Sequence, residues 1–243
     1  MLGNHRDSGF VQFILSEDKL MGWLRSLIAS ERAKGIFSVI LYFILLVVGQ
    51  MLAVVILQVI RGLTGFFDED LFNNMVTWIS LVISLVVFII IYFKVIKEDA
   101  KRLNKKDMLF VIVMAIITLI LNYGSNAILD YFNVSQEQHT EVAELLAANT
   151  IITMIITVVY GPIVEELVFR KAINQIVSNK AIFIAVSALI FGLIHEQNLR
   201  MIPFVCIGAI CAITYLKTNK NVVSAIAVHF INNLVFTVWM FFE

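Results

Sequence analysis

Cysteine is nearly absent from this 243-residue chain. Its two copies, Cys206 and Cys211, lie five residues apart in one apolar segment. That placement argues against a disulfide framework and for small apolar packing residues. Charge is scarce too, at 15% of residues, and the formal net charge is zero. No bulk field then favours a nucleic acid, and basic stretches are better read for membrane topology. The first 35 residues are mixed and charged, with no long apolar run of the kind a secretory signal requires. No internal repeat or low-complexity linker divides the chain, so one helical-bundle domain is the simplest reading.

Apolar residues are what the sequence has in excess. They make up 60% of the chain, and mean hydropathy is +0.91, against about 45–50% apolar and about 25% charged in soluble domains. The expected class is an all-α, polytopic membrane bundle. Spans of about 20 apolar residues are read at Ile36 to Ile60, Met75 to Ile96, Met108 to Leu129, Thr150 to Arg170, Ala181 to His195, Met201 to Leu216 and Val222 to Phe242. The fifth and sixth are short enough to be tilted, extended or partly re-entrant. With a cytoplasmic N-terminus, seven spans put sixteen of the eighteen Lys and Arg residues inside, leaving only Arg61 and Arg200 outside. The outside loops are acidic instead: Asp68, Glu69 and Asp70, then Asp130, Glu137, Glu141 and Glu144. This asymmetry supports a cytoplasmic N-terminus and an outside C-terminus. Residues 1–35 then form a cytoplasmic or interfacial segment, with Phe10 to Ile28 patterned as an amphipathic interfacial helix. Residues 36–107 hold two spans and a basic loop, and residues 108–243 hold the membrane core that carries the polar motifs.

Those motifs begin at Glu165 and Glu166, which end a run from Thr150 to Val164 without a charged residue. Each carboxylate there costs about 2.5–3.5 kcal/mol on insertion scales, and an intramembrane ionisable group is by default a functional candidate. Glu166 and Arg170 are four apart and share a helix face, so they can pair, while Glu165 points elsewhere and is free for chemistry. Pro162 removes a backbone donor just before them and tends to kink the helix. The freed carbonyl and local widening would admit water. His195 closes the fifth apolar run, four residues after Phe191. His229 and Asn233 share a face of the seventh, with Asn232 about one step off it. A Glu and a His suit activation of water and proton return to a leaving amine, and an imidazole and a carboxamide can donate to an oxyanion. Glu165, His195 and His229 are equally types that zinc accepts, so a metal-free and a zinc site both stay open.

Each residue also has a plainer reading. A Glu–Arg pair at this spacing is often structural, a membrane Asn commonly bonds a neighbouring helix, and a lone His near a helix end is usually packed or interfacial. Phe191 reads as a packing residue that sets the rotamer of His195. Tyr160, Trp78 and Trp239 read as packing or interface residues, and His5 and His139 as inert surface. The third span has a polar middle, from Asn122 to Asn126.

Taken together, Glu165-Glu166 with Arg170, Phe191 with His195, and His229 with Asn233, in that order on successive spans, resemble the CPBP intramembrane proteases. That family includes CAAX prenyl endopeptidases and bacterial Abi proteins linked to bacteriocin self-immunity. The resemblance covers Met108 to Phe242. It implies hydrolysis of a peptide bond at or within the membrane, at a site open towards the cytoplasm. Glu165 and His195 would activate the water, His229 and Asn233 would stabilise the oxyanion, and Glu166, Arg170 and Phe191 would support them. The family has been described as both metal-dependent and glutamate-dependent, so the resemblance leaves zinc undecided. It implies a membrane peptide or protein substrate and a multi-pass protein of, in a bacterium, the plasma membrane. Two other functions stay in view: a non-catalytic scaffold or regulator of a membrane sensor kinase or bacteriocin immunity system, and a proton-linked transporter, which the lack of a repeat disfavours.

One mismatch bears on the geometry. Glu165 and His229 lie about 8–12 Å from the basic ends of their spans, whereas His195 lies about 22 Å along its own from Lys180, at ~1.5 Å per residue. For the three to meet, the fourth span must run on past Arg170 towards Ser178, or the fifth must start below the membrane.

Overall fold

The structure is a computed structural model, and it describes residues 30–65, 69–134 and 152–242. The proposed interfacial helix, His5, His139 and the acidic residues Glu137, Glu141 and Glu144 lie outside the described residues. Within them the fold is all-α, a bundle of seven helices: α1 (Glu31–Thr64), α2 (Glu69–Arg102), α3 (Lys105–Tyr131), α4 (Ile152–Ile176), α5 (Lys180–His195), α6 (Met201–Lys217) and α7 (Val222–Phe242). Helix starts follow local chemistry. Side-chain oxygens of Ser30, Asn104 and Asn179 accept first-turn N–H groups of α1, α3 and α5, satisfying donors that a helix leaves orphaned.

Five helices, α1 to α4 and α7, are long and apolar enough to cross a membrane. With 16 and 17 residues, α5 and α6 reach only about 24–26 Å, short of a hydrocarbon core of about 30 Å. Along α1 to α3 many large aliphatic side chains, among them Val47, Met51, Val55, Ile90 and Ile120, face outward. In a multi-pass membrane protein lipid covers them, and no aqueous penalty arises. The inward faces form one core. Tyr42 of α1 meets Phe88 of α2 and Phe169 of α4 edge-on, at centroid distances of 6.3 and 5.9 Å. Residues 36–107 are thus packed on the same core as the motif-bearing helices, and their distinction is one of motifs, not of packing.

Among the long spans α4 is the most buried. It touches α1, α2 and α7 and includes two π-helical stretches, Ile156–Tyr160 and Leu167–Ala172. The helix continues to Ile176, past Arg170, so Glu165 lies about 16 Å from that end and part of the depth mismatch is removed. The starting height of α7 is set by Asp99 near the end of α2. Its buried carboxylate accepts the Val222 N–H at 2.7 Å, and Asn221 donates to its backbone carbonyl at 2.8 Å. The three motif helices are therefore staggered along the bundle, which brings unequal positions to one level.

The pairing of α5 with α6 depends on small residues, as membrane helix contacts often do. A Cβ built on Gly208 would fall 2.9 Å from the Ala188 Cα, and one on Gly192 would fall 3.1 Å from the Met201 carbonyl oxygen. Backbone cannot retreat there as a flexible side chain would. Gly208→Val is expected to destabilise the fold by about 1–3 kcal/mol, read as a lowered Tm of the purified protein in detergent; an unchanged Tm would show that α5 and α6 are free to separate.

Candidate active site

The deepest polar contact is the Glu166–Arg170 pair, both side chains fully buried. Arg170 Nη2 donates to Oε1 at 3.0 Å, and Nε lies 2.8 Å from Oε2 as a close ion-pair contact. Arg170 Nη1 donates to Ser187 Oγ at 2.7 Å, and that hydroxyl donates to the Phe169 carbonyl at 2.7 Å. The guanidinium also lies over the Phe191 ring, 5.1 Å from its centroid. Ser187, Phe191 and His195 recur every four residues on one face of α5, so Arg170 holds the face that carries the histidine. Phe191 abuts both imidazoles, at centroid distances of 4.3 Å to His195 and 5.5 Å to His229.

Those imidazoles are oriented by groups of unambiguous polarity. His195 Nδ1 is 2.7 Å from the Phe191 carbonyl oxygen. A carbonyl only accepts, so Nδ1 carries a proton there. His229 Nδ1 is 3.0 Å from Glu166 Oε1, a carboxylate already bound to arginine, so Nδ1 donates there too. Both rings turn Nε2 towards Glu165, whose Oε2 is 3.7 Å from His195 Nε2 and 3.9 Å from His229 Nε2. That oxygen is buried and has no hydrogen-bond partner among the described residues. Its companion Oε1 lies against Gly161, where a Cβ would stand only 3.3 Å from it.

Asn233 reaches the same place from α7 through a backbone irregularity in α4. In the first π-helical stretch the Gly161 N–H bonds the Ile156 carbonyl, five residues back. One residue on, the matching donor to Thr157 would come from Pro162, which has none. Asn233 Nδ2 takes that place and donates to the Thr157 carbonyl at 2.9 Å. The proline, expected to break or kink the helix, leaves it continuous, and the carbonyl it frees anchors a candidate site residue.

Glu165, His195, His229 and Asn233 line one cavity of about 250 Å³, together with Tyr160, Gly161, Asn122, Asn126, Asn232 and apolar residues of α2, α4, α6 and α7. Glu166, Arg170 and Phe191 stand behind it. Several contributors were not singled out from the sequence. Ser187 had a signal in its four-residue spacing to Phe191. Asn232, read as the weaker neighbour of Asn233, joins the cavity wall. Arg200, counted only as an outside charge, is buried and paired with Asp130 of α3, which nothing in the linear sequence announces.

Zinc fits the donor types but not their spacing. Ligands 2.0–2.1 Å from a tetrahedral zinc lie about 3.3 Å apart, closer than the 3.7 and 3.9 Å seen here. Among the described residues no three His, Cys, Asp or Glu side chains form a group able to hold a metal ion.

Removing the arginine would leave Glu166 as an uncompensated buried charge. Arg170→Ala is expected to cost about 3–5 kcal/mol, read by thermal unfolding in detergent, and Arg170→Ala with Glu166→Ala should recover part of the loss. A double variant no more stable than the single would count against the pair as the anchor.

Comparison with known proteins bears on the same helices. Residues 147–235 match the family described as type II CAAX prenyl endopeptidase Rce1-like. The Bacillus subtilis (strain 168) protein named "Putative membrane peptidase YdiL" is 28% identical over 164 residues, covering 63% of this chain and 67% of that protein. No solved structure matches. The family resemblance carried by the motifs agrees with this match, which lies over residues 147–235 and includes all of the motif residues.

Proposed function

We propose that this multi-pass membrane protein of the CPBP protease type is an endopeptidase that hydrolyses a peptide bond of a membrane-associated peptide or protein, with Glu165, His195, His229 and Asn233 as its catalytic residues. The observation that carries the reading is the convergence of Glu165 Oε2 with two imidazole Nε2 atoms, 3.7 and 3.9 Å away, at the wall of one cavity.

In this reading a water bridges Glu165 Oε2 and His195 Nε2. Glu165 takes its proton as general base, and the oxygen attacks the scissile carbonyl carbon. The carbonyl oxygen becomes an oxyanion and accepts from the Asn233 amide, and from His229 Nε2 when that ring carries both protons. Collapse breaks the C–N bond, and the proton held by Glu165 passes to the leaving amine directly or through His195. Glu166 orients His229 through Nδ1, and Arg170 keeps Glu166 an acceptor. Apolar walls limit water, so these dipoles act in a low local dielectric. Every step runs through the chain's own side chains. With a cytoplasmic N-terminus the cavity would be reached from the cytoplasmic side. A bacterial chain would act on a leader, signalling or bacteriocin-related peptide in the plasma membrane.

The test compares membrane peptides of a wild-type strain with those of Glu165→Gln and His195→Ala strains producing equal amounts of protein. Loss of a positioned base lowers the rate by about 10²–10⁴, so a substrate should accumulate uncut in both variants. Asn233→Ala should lower it by about 10²–10³. If cellular function survives both Glu165→Gln and His195→Ala, the chain works as a non-catalytic scaffold, such as a partner of a sensor kinase, and the endopeptidase reading fails.

A further inference from the structure

A chain of side-chain amides leads away from Asn233 towards the opposite end of the cavity. Asn232 Nδ2 donates to Asn233 Oδ1 at 3.2 Å, Asn122 Nδ2 to Asn232 Oδ1 at 3.1 Å, and Asn126 Nδ2 to Asn122 Oδ1 at 2.9 Å. Arg200 Nη1 then donates to Asn126 Oδ1 at 3.3 Å. Arg200 is itself fixed, by Asp130 and by the Val134 carbonyl, which accepts from Nε at 3.1 Å and from Nη2 at 2.6 Å. All four asparagines line the cavity.

An asparagine can present either its oxygen or its NH₂ to a given direction, and nothing about one amide alone decides which. Here both ends of the chain have a single polarity. A guanidinium only donates, so Asn126 must turn its oxygen to Arg200. The Thr157 carbonyl only accepts, so Asn233 must turn its nitrogen to it. Asn126 Nδ2 also donates to the Asn122 backbone carbonyl at 3.0 Å, a second fixed point. Every link between then has one sense. Each amide that accepts at oxygen becomes a better donor at nitrogen, and each NH₂ has two hydrogens. Asn233 spends one on Thr157, and the second is available to a substrate.

We propose that Asn122, Asn126 and Asn232 are positioning residues that, with Arg200 as the terminal donor, hold Asn233 with its N–H and not its oxygen towards the reacting carbonyl. A reversed amide would place lone pairs against the developing oxyanion and turn a stabilising donor into a repulsion. The role of Asn233 rests on the endopeptidase reading; the sense of the amide chain does not.

The test uses the full chain, labelled with ¹⁵N-asparagine in lipid nanodiscs, with the Asn233 side-chain NH₂ signals assigned by their loss in Asn233→Ala. Asn122→Leu and Asn126→Leu are examined separately, so that one informative variant remains if the other does not fold. Ser125→Ala is the control, because Ser125 lies in the same polar patch and, among the described residues, bonds the Leu121 and Asn122 carbonyls and no amide side chain. Both leucine variants should shift the Asn233 signals and speed their exchange with solvent, and Ser125→Ala should not. Against an internally quenched version of the membrane peptide that accumulates uncut in the Glu165→Gln strain, kcat should fall about tenfold with KM held within about twofold. Unchanged Asn233 signals in both folded variants, or a raised KM at constant kcat, would overturn the proposal. Cleavage that persists in Glu165→Gln would sink the endopeptidase reading alone, since the NMR result does not depend on turnover.

Discussion

The polar groups of α5 and α7 that face Glu165 are referred to a buried contact between Glu166 and Arg170. Two full charges away from water carry a desolvation penalty that their attraction offsets only if the remaining donors and acceptors also find partners. Several of them do so in a way that orients something else. Arg170 reaches Ser187 and lies over Phe191, fixing the α5 face that ends in His195. Glu166 accepts from His229 and sets the ring of α7. A single pair on α4 thus sets the orientation of side chains on two other helices, and the Nε2 atoms that face Glu165 follow from it.

The backbone of α4 is the second constraint. Its two π-helical stretches bracket Gly161 to Glu166, and such stretches often mark functional positions because they free carbonyls and shift the phase of the helix. Here the first, with Pro162, leaves the Thr157 carbonyl for Asn233. Gly161 leaves room for the Glu165 carboxylate. Two adjacent glutamates end in different situations: Glu166 sealed and paired with Arg170, Glu165 at the cavity wall facing both imidazoles. One residue step along a helix, about 100° of rotation, is enough to separate a structural carboxylate from a chemical one.

The amide chain shows how a neutral network can have a direction. Asparagines in a membrane interior commonly bridge helices, and these do so between α3 and α7. Their ends, a guanidinium and a carbonyl, remove the ambiguity that amides otherwise have. The charge at the far end is tolerated for the same reason as Arg170, because Arg200 is paired and hydrogen-bonded on all sides seen.

Much of this architecture was legible from residues alone. The apolar spans located all seven helices, because in lipid a helix must satisfy its own backbone and so declares itself by length and composition. The four-residue spacing of Glu166 with Arg170, Phe191 with His195 and His229 with Asn233 announced shared faces, since that periodicity is intrinsic to the helix. What one dimension could not contain was the axial stagger that brings Glu165, His195 and His229 to one height, which depends on Asp99 gripping the start of α7 and on α4 running to Ile176. It also could not contain the pairing of Arg200 with Asp130, 70 residues apart in sequence, or the link from Asn122 to Asn232, 110 residues apart. Local periodicity is written into neighbouring residues; which helix stands beside which, and at what height, is decided only when the whole bundle packs.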